Sequence, residues 1–304
     1  MISFNMLIPP VFFTVSFLLQ LSCNPPAPKD PKPELAVQNP KHELIEVRKL
    51  PKELKECSGM ALLDRNTFVA VNDGGDHPYL YVFDQKDSPV RPVKVVGVEN
   101  IDWEELTTDE DFLYISDTGN NGGTRQNLSI YKIRKNDVLK LNEVVPEKIQ
   151  ISYEGQSKFN DSNRHNFDCE AMVSVRDSLF LFSKNRGDHR TDVYGIPKIP
   201  GAYQAKKLGS FDAKGLITGA DYNANSSSAQ LILIGYDNEG HGYNPFLIHF
   251  TNFQGTHFFN GSSDRIGIGP KLQAESVLFQ NDHNVYISNE STKEAKGFVY
   301  QMAL

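Results

Sequence analysis

The chain has 304 residues, 39% of them hydrophobic, and a formal net charge of −7. That is ample apolar material for a core, and a single all-β domain of this length is within the usual range. The acidic balance excludes a nucleic-acid polymer as partner, which would call for a basic face.

Residues 7–21 are almost uninterrupted apolar sequence. The stretch is shorter than the ~20 residues that span a bilayer and suits the core of a secretory signal peptide. It ends Leu19-Gln20-Leu21-Ser22-Cys23. A small residue before a cysteine resembles a bacterial lipobox, which implies that 1–22 is a lipoprotein signal peptide and that Cys23 is the lipidated first residue of the mature chain. An ordinary cleaved signal peptide is the alternative. Pro25, Pro26, Pro28, Pro31, Pro33 and Pro40 follow among charges. Such a composition buries little and reads as an extended tether. The expected organisation is therefore signal peptide 1–22, anchor cysteine and tether 23–42, and folded domain 43–304. Export across the inner membrane and a lipid anchor in the outer membrane follow, facing the periplasm or the cell surface.

From residue 57 onward one short stretch recurs five times. The copies are Cys57-Ser58-Gly59-Met60, Trp103-Glu104-Glu105-Leu106, Cys169-Glu170-Ala171-Met172, Ile217-Thr218-Gly219-Ala220 and Ala274-Glu275-Ser276-Val277. A second apolar run ending in polar residues comes shortly after each. Repeats of this period with several short strands signal a β-propeller. The expected strands are 58–63, 67–72, 79–84 and 92–98, then 104–108, 111–116, 128–133 and 147–153. They continue as 170–175, 179–184, 192–197 and 204–212, then 218–223, 229–236, 245–250 and a fourth within 256–270. Last come 275–280, 284–289 and 297–302. The fifth repeat lacks a fourth strand, and the β-like segment 43–48 is expected to supply it, closing the ring and removing a free edge. The fold class is thus all-β, a propeller of five blades with four antiparallel strands each. Six blades remain the alternative if the insertion 134–166 hides one. No helix of convincing period is expected after residue 24. Cys57 and Cys169 fall in repeats that are not neighbours, beyond the ~7 Å Cα separation a disulfide bridges, and read as buried thiols.

The first strand of each blade lines the central channel, so Ser58, Glu104, Glu170, Thr218 and Glu275 should face one another around the axis. Converging carboxylates repel by a few kcal/mol per pair at an effective dielectric of ~20. Either some hold protons or a cation sits among them. Three carboxylates and two hydroxyls are hard oxygen donors that suit Ca²⁺, and the absence of His or Cys from the ring disfavours zinc. A water-filled polar channel with partly neutral carboxyls is the other reading.

The order hydroxyl, carboxylate, carboxylate, hydroxyl, carboxylate resembles the calcium-activated nucleotidase (apyrase) family. So do Trp103-Glu104-Glu105-Leu106 and Ala274-Glu275-Ser276-Val277. That resemblance implies a five-bladed propeller with a channel Ca²⁺ that hydrolyses nucleoside di- and triphosphates. The chain is also similar to uncharacterised bacterial secreted propellers. The shared motifs are Asn72-Asp73-Gly74-Gly75, Asp102-Trp103-Glu104, Asp117-Thr118-Gly119-Asn120-Asn121 and Asp168-Cys169-Glu170-Ala171-Met172. This likeness implies no activity.

The second strands end in a polar rim: Asp73 and Asp76; Asp117, Asn120 and Asn121; Lys184, Asn185 and Arg186; Asp237 and Asn238; Asn289 and Glu290. Asp73, Asp76, Asp117, Asn120, Asn121 and Asp237 are the candidate substrate-binding residues, though Asp, Asn and Gly also populate turns for backbone reasons. In a phosphohydrolase, Lys184 or Arg186 would neutralise developing charge and Asp102 or Glu104 would orient the water. His165 reads as a structural hydrogen-bonder. Serine-hydrolase, P-loop and zincin motifs are absent. Two functions stand side by side. One is a Ca²⁺-dependent hydrolase of nucleotides or other phosphate-containing anions. The other is a non-catalytic propeller that binds a glycan, peptide or envelope protein on its rim. A monomer is expected in either case.

Overall fold

The computed structural model describes residues 42–86, 88–160, 164–224, 228–237, 243–269, 271–293 and 295–304. Cys23, the signal peptide and the tether up to residue 41 lie outside them, as does Asn238.

Strand β1 (Ile45–Lys49) is followed by β2 (Cys57–Leu62), β3 (Thr67–Asn72), β4 (Tyr79–Asp84) and β5 (Arg91–Val95). Next come β6 (Glu105–Thr108), β7 (Phe112–Asp117), β8 (Ser129–Arg134), helix α1 (Lys135–Lys140), β9 (Glu143–Val144) and β10 (Glu147–Tyr153). The chain continues with β11 (Cys169–Val175), β12 (Ser178–Ser183), β13 (Thr191–Pro197) and β14 (Gly201–Phe211). It ends with β15 (Leu216–Asn223), β16 (Gln230–Asp237), β17 (Asn244–Thr251), β18 (Ser262–Gly267), β19 (Ala274–Asn281), β20 (Asn284–Asn289) and β21 (Phe298–Ala303).

These strands build four hydrogen-bonded sheets. Three are simple meanders: β2-β3-β4-β5 with β9 added at its edge, β15-β16-β17-β18, and β19-β20-β21 completed by β1. The fourth has eight strands, because the meanders β6-β7-β8-β10 and β11-β12-β13-β14 join edge to edge where β10 runs parallel to β14. The N-terminal strand does close the last sheet: β1 lies antiparallel to β21, with Ile45 opposite Gln301 and Lys49 opposite Phe298. Closure ties the two ends of the domain together and pairs an edge that would otherwise be free.

The first strands of the meanders are mutual neighbours in a closed cycle: β2 against β6, β6 against β11, β11 against β15, β15 against β19, and β19 against β2. Five separate apolar clusters fill the spaces between consecutive meanders. The first and second strands of a meander are therefore buried on both faces, so β16 reads Leu-Ile-Leu-Ile without alternation. Outer strands face solvent on one side and alternate, as β10 does. Trp103 is fully buried between the first two meanders, beside Tyr131 at 6.2 Å.

The insertion at 134–166 differs from expectation. It contains the helix α1, which the sequence reading did not foresee, because six residues with one buried apolar side chain, Val138, carry no period to read. Its β9 pairs parallel with β5, and its β10 completes the second meander. Among the described residues the insertion forms no sheet of its own. Cys57 and Cys169 are free and buried, and burial pushes both thiols up to about 12, so they act as packing groups.

Candidate functional site

A β-bulge places most of the recurring oxygen-bearing residues. The ladder register slips between Cys57 and Gly59, between Cys169 and Ala171, between Ile217 and Gly219, and between Ala274 and Ser276. Ser58, Glu170, Thr218 and Glu275 are thus the extra residues of four equivalent bulges. A bulge frees its residue from the ladder and re-aims the side chain. Glu104 stands just before β6, where its backbone N–H donates to the Ser116 carbonyl. The inner strands approach closely enough that a Cβ on Gly59 would lie 2.8 Å from the Glu105 Cα.

Ser58, Glu104, Glu170 and Glu275 line a polar cavity of about 190 Å³ at the end of the ring. Asp73, Asn121, Lys184, Arg186, Tyr236, Gln273 and Glu290 complete its wall. Three larger grooves, of about 810, 1150 and 590 Å³, lie elsewhere and have none of the ring residues in their walls. Thr218 is placed differently from the other four. It does not border the cavity, and its hydroxyl donates to the Ala274 carbonyl at 2.8 Å. The Ser58 hydroxyl similarly donates to the Trp103 carbonyl at 2.8 Å. Both hydroxyls therefore brace one inner strand against the next.

The carboxylates form two groups whose ligand oxygens lie within 4.8 Å of one another. One is Asp73, Asp102 and Glu104; the other is Glu104, Asp168 and Glu170. Glu104 is common to both, is 5% exposed, and has no side-chain hydrogen bond or ion pair among the described residues. Burial, then Glu170, raises its carboxyl well above the usual range. Burial, then Asp73 and Asp168, raises Asp102 to about 7, against the pull of Arg125. Burial also raises Glu170, while Lys184 and Arg186 oppose it.

Lys184 makes a buried ion pair with Glu170. Burial pulls its ammonium down, but Glu170, then Tyr236 and Glu275, together outweigh that and hold it well above the ordinary range. Arg186 sits 3.1 Å from Asp168 and 3.4 Å from Glu170, and its guanidinium also donates to the Asn121 side chain. Both cations at the cavity are thus already matched by carboxylates.

The remaining rim residues turn inward. Asp117 pairs with Arg125 at 2.8 Å and accepts the Asp102 backbone N–H at 3.1 Å. Asn120 accepts the Arg125 backbone N–H and donates to the Phe167 carbonyl, while its own N–H donates to Asp168 at 2.7 Å. Asp76 accepts from Asn72 and from the Tyr81 hydroxyl. Asp237 accepts from Asn244 at 2.7 Å. His165 contacts the Asn121 carbonyl at 3.1 Å and accepts the Phe167 N–H, as expected of a structural hydrogen-bonder.

Arg125 is the organising residue that sequence reasoning missed. It also donates to the Gly119 carbonyl at 2.6 Å, so one guanidinium fixes the loop that packs on Asp102 and Glu104. A Cβ at Gly119 would overlap Glu104 Oε1 and come within 2.6 Å of Asp102 Oδ2. The glycine and the basic residue six positions later were the available signal.

The donor set fits a hard cation. Every candidate ligand atom is oxygen, at least three are carboxylates, and buried carboxylates without partners are costly unless compensated. These residues could hold a metal.

No protein-family model and no curated protein matches the chain. Solved structures do. An endo-arabinase from Bacteroides thetaiotaomicron superposes with a TM-score of 0.51 at 9% identity, covering 86% of this chain and 96% of that one. The PQQ-bound aldose sugar dehydrogenase from Streptomyces coelicolor gives 0.48 at 10% identity, covering 87% and 99%. A putative gluconolactonase gives 0.44 at 11% identity, covering 82% and 74%. At 9% identity the likeness to the arabinase speaks to architecture alone. Together with the closed cycle of inner strands, it makes this chain a β-propeller.

Proposed function

We propose that the chain is a five-bladed, envelope-anchored propeller that holds Ca²⁺ among the cavity carboxylates and hydrolyses a small phosphate-containing anion. The count of five is supported by the cycle of five inner strands and the five apolar clusters. The anchor rests on Ser22-Cys23 and the proline-rich stretch after it.

One observation carries the metal and the chemistry: Glu104, buried and unpartnered, is shared by two carboxylate groups. Glu104, Asp168 and Glu170 would hold the ion. When bound, Ca²⁺ supplies positive charge that polarises a phosphoryl oxygen. Lys184 and Arg186, whose carboxylate partners would then be shared, face the same phosphoryl group and offset the charge that develops on it. Asp102 accepts the proton of the water that attacks phosphorus, while the bond from phosphorus to the leaving oxygen breaks. That oxygen departs with a proton from solvent. A carboxyl raised to about 7 is suited to such proton transfer at neutral pH. At about 190 Å³ the cavity is smaller than the ~300–1,000 Å³ sites that engulf drug-sized ligands. It takes a phosphoryl group and leaves a nucleoside outside.

Phosphate release from a nucleotide and phosphomonoester panel, with Ca²⁺ or with chelator, tests this. Turnover that vanishes with chelator and in Asp102→Asn is the expected result. Silence across the panel refutes hydrolysis and favours the non-catalytic rim binder.

A further inference from the structure

Tyr236, near the end of β16, puts a phenol into the wall of the cavity and is 7% exposed. Its ring packs edge-on against Tyr243 at 4.7 Å, which fixes its direction. The Lys184 Nζ lies 5.3 Å from the ring centre, and Lys184 is the one hydrogen-bond partner of the hydroxyl among the described residues. An ammonium has donors and no acceptor. The phenol oxygen therefore accepts from Lys184, and its own proton is left for whatever enters the cavity. Burial raises this phenol, Lys184 pulls it back, and Glu275 and Glu170 push it up again. It keeps its proton at neutral pH.

Phosphoryl transfer makes a geometric demand: the attacking and leaving oxygens stand roughly in line on opposite sides of phosphorus. The order of the meanders meets it. Asp102 precedes β6 in the second meander, with a carboxylate oxygen within 4.8 Å of one on Glu104. Lys184 and Arg186 follow β12 in the third, paired to Glu170. Tyr236 belongs to the fourth. Inner strands β6, β11 and β15 are successive neighbours, so the two cations stand between Asp102 and Tyr236 around the cavity. A phosphoryl group held by those cations has the carboxylate on one side and the phenol on the other.

Resting on the hydrolase reading above, we infer that Tyr236 is a further catalytic residue, the general acid that protonates the leaving oxygen. As the bond from phosphorus to that oxygen breaks, the Tyr236 O–H bond breaks and its proton passes to the leaving oxygen. Asp102 takes the proton of the water whose oxygen bonds to phosphorus. The tyrosinate left behind lies beside the Lys184 ammonium, which offsets its charge. Solvent then returns a proton to it, so the proton carried off comes from solvent by way of the phenol. The substrate class is a phosphate ester of an aliphatic alcohol, whose alkoxide leaves poorly without a proton.

The test uses the folded chain in Ca²⁺ with two esters. Ethyl phosphate has a leaving oxygen that needs a proton, and 4-nitrophenyl phosphate has one that departs as a stable anion. Phosphate release measures turnover, and calorimetry with inorganic phosphate measures binding. In Tyr236→Phe, which keeps the ring packed on Tyr243, the ratio of ethyl to 4-nitrophenyl turnover should fall at least about 100-fold, the lower end of what a general acid contributes. Binding of inorganic phosphate should persist. A second measurement needs no variant: across substituted phenyl phosphates, the parent's rate should depend only weakly on the leaving group. A steep dependence in the parent, an unchanged ratio in Tyr236→Phe, or an equal fall for both esters overturns the general acid and leaves the hydrolase standing. So does release from nucleoside di- or triphosphates but from neither ester. No release from any of these substrates overturns the hydrolase reading and this inference with it.

Discussion

Lys184→Met removes one charge from the buried Lys184–Glu170 pair and keeps most of the side chain's stem. The two side chains are 6% and 5% exposed, so Glu170 would be left with little water. Removing one partner of a buried ion pair costs ~3–5 kcal/mol. Arg186, 3.4 Å from Glu170, softens the loss, so the lower figure applies. A domain of this size loses ~2–4 °C of melting temperature per kcal/mol, which gives a fall of roughly 6–12 °C in chelator. Ca²⁺ at a hundred times its Kd restores about 2.7 kcal/mol, which is most of the loss. The double variant Glu170→Gln/Lys184→Met should also recover in chelator, because neither charge remains buried. Thermal melts with Ca²⁺ and with chelator read all of this. A Lys184→Met protein melting within about 2 °C of the parent in chelator refutes the reasoning. So does a double variant no more stable than the single one.

Two further outcomes follow from the geometry. Burial raises Asp221 to about 7 from its ordinary 3.8, even though it accepts backbone N–H groups from Phe279 and Tyr222. The folded chain keeps that proton where the unfolded chain has lost it. Asp221 therefore contributes stability that is fully present below about pH 4 and is lost as pH rises towards 7, up to about 4 kcal/mol and less for a residue that retains some surface. The difference between urea melts of the parent and Asp221→Asn across this window isolates that loss; a flat difference would rule it out. Gly119→Ala should abolish the stabilisation by Ca²⁺ and the phosphate release, because its Cβ must displace both Glu104 and Asp102. Gly267→Ala, where a Cβ meets nothing within 4 Å, is the control that should retain both.

The propeller and its closing strand were legible because they rest on periodicity. Segment 43–48 had no partner in its own neighbourhood, and the last repeat lacked an edge. The inner positions were legible for a related reason, since a bulge at the same place in successive first strands leaves the same polar residue between apolar ones. The direction of a hydroxyl was not legible. Ser58 and Thr218 have the right oxygen, but each donates its proton to the neighbouring strand. Nor could the sequence say that Asp117 and Asn120 turn inward. That depends on Arg125, whose guanidinium folds back over its own loop. Helix α1 was missed because one turn and a half with a single buried residue has no period.

The stability of the sheets and the cost of the site come from different places. Apolar clusters between consecutive meanders hold the ring closed, and none of them contains a cavity carboxylate. The inner strands nevertheless bring Glu104, Asp168 and Glu170 within 4.8 Å of one another. At an effective dielectric of ~20, each ionised pair at that separation repels by about 3 kcal/mol or more. Three such pairs approach the ~5–15 kcal/mol by which a whole domain is stable. Arg186 offsets Asp168 and Lys184 offsets Glu170, which leaves Glu104 with no protein cation of its own. A chain selected for stability alone would replace that residue with an apolar one. Conflict between local energetics and an otherwise consistent fold is expected where function is carried. Glu104 must therefore hold either a proton or a cation, and the Asp168 and Glu170 oxygens within 4.8 Å of it could serve as ligands for the latter.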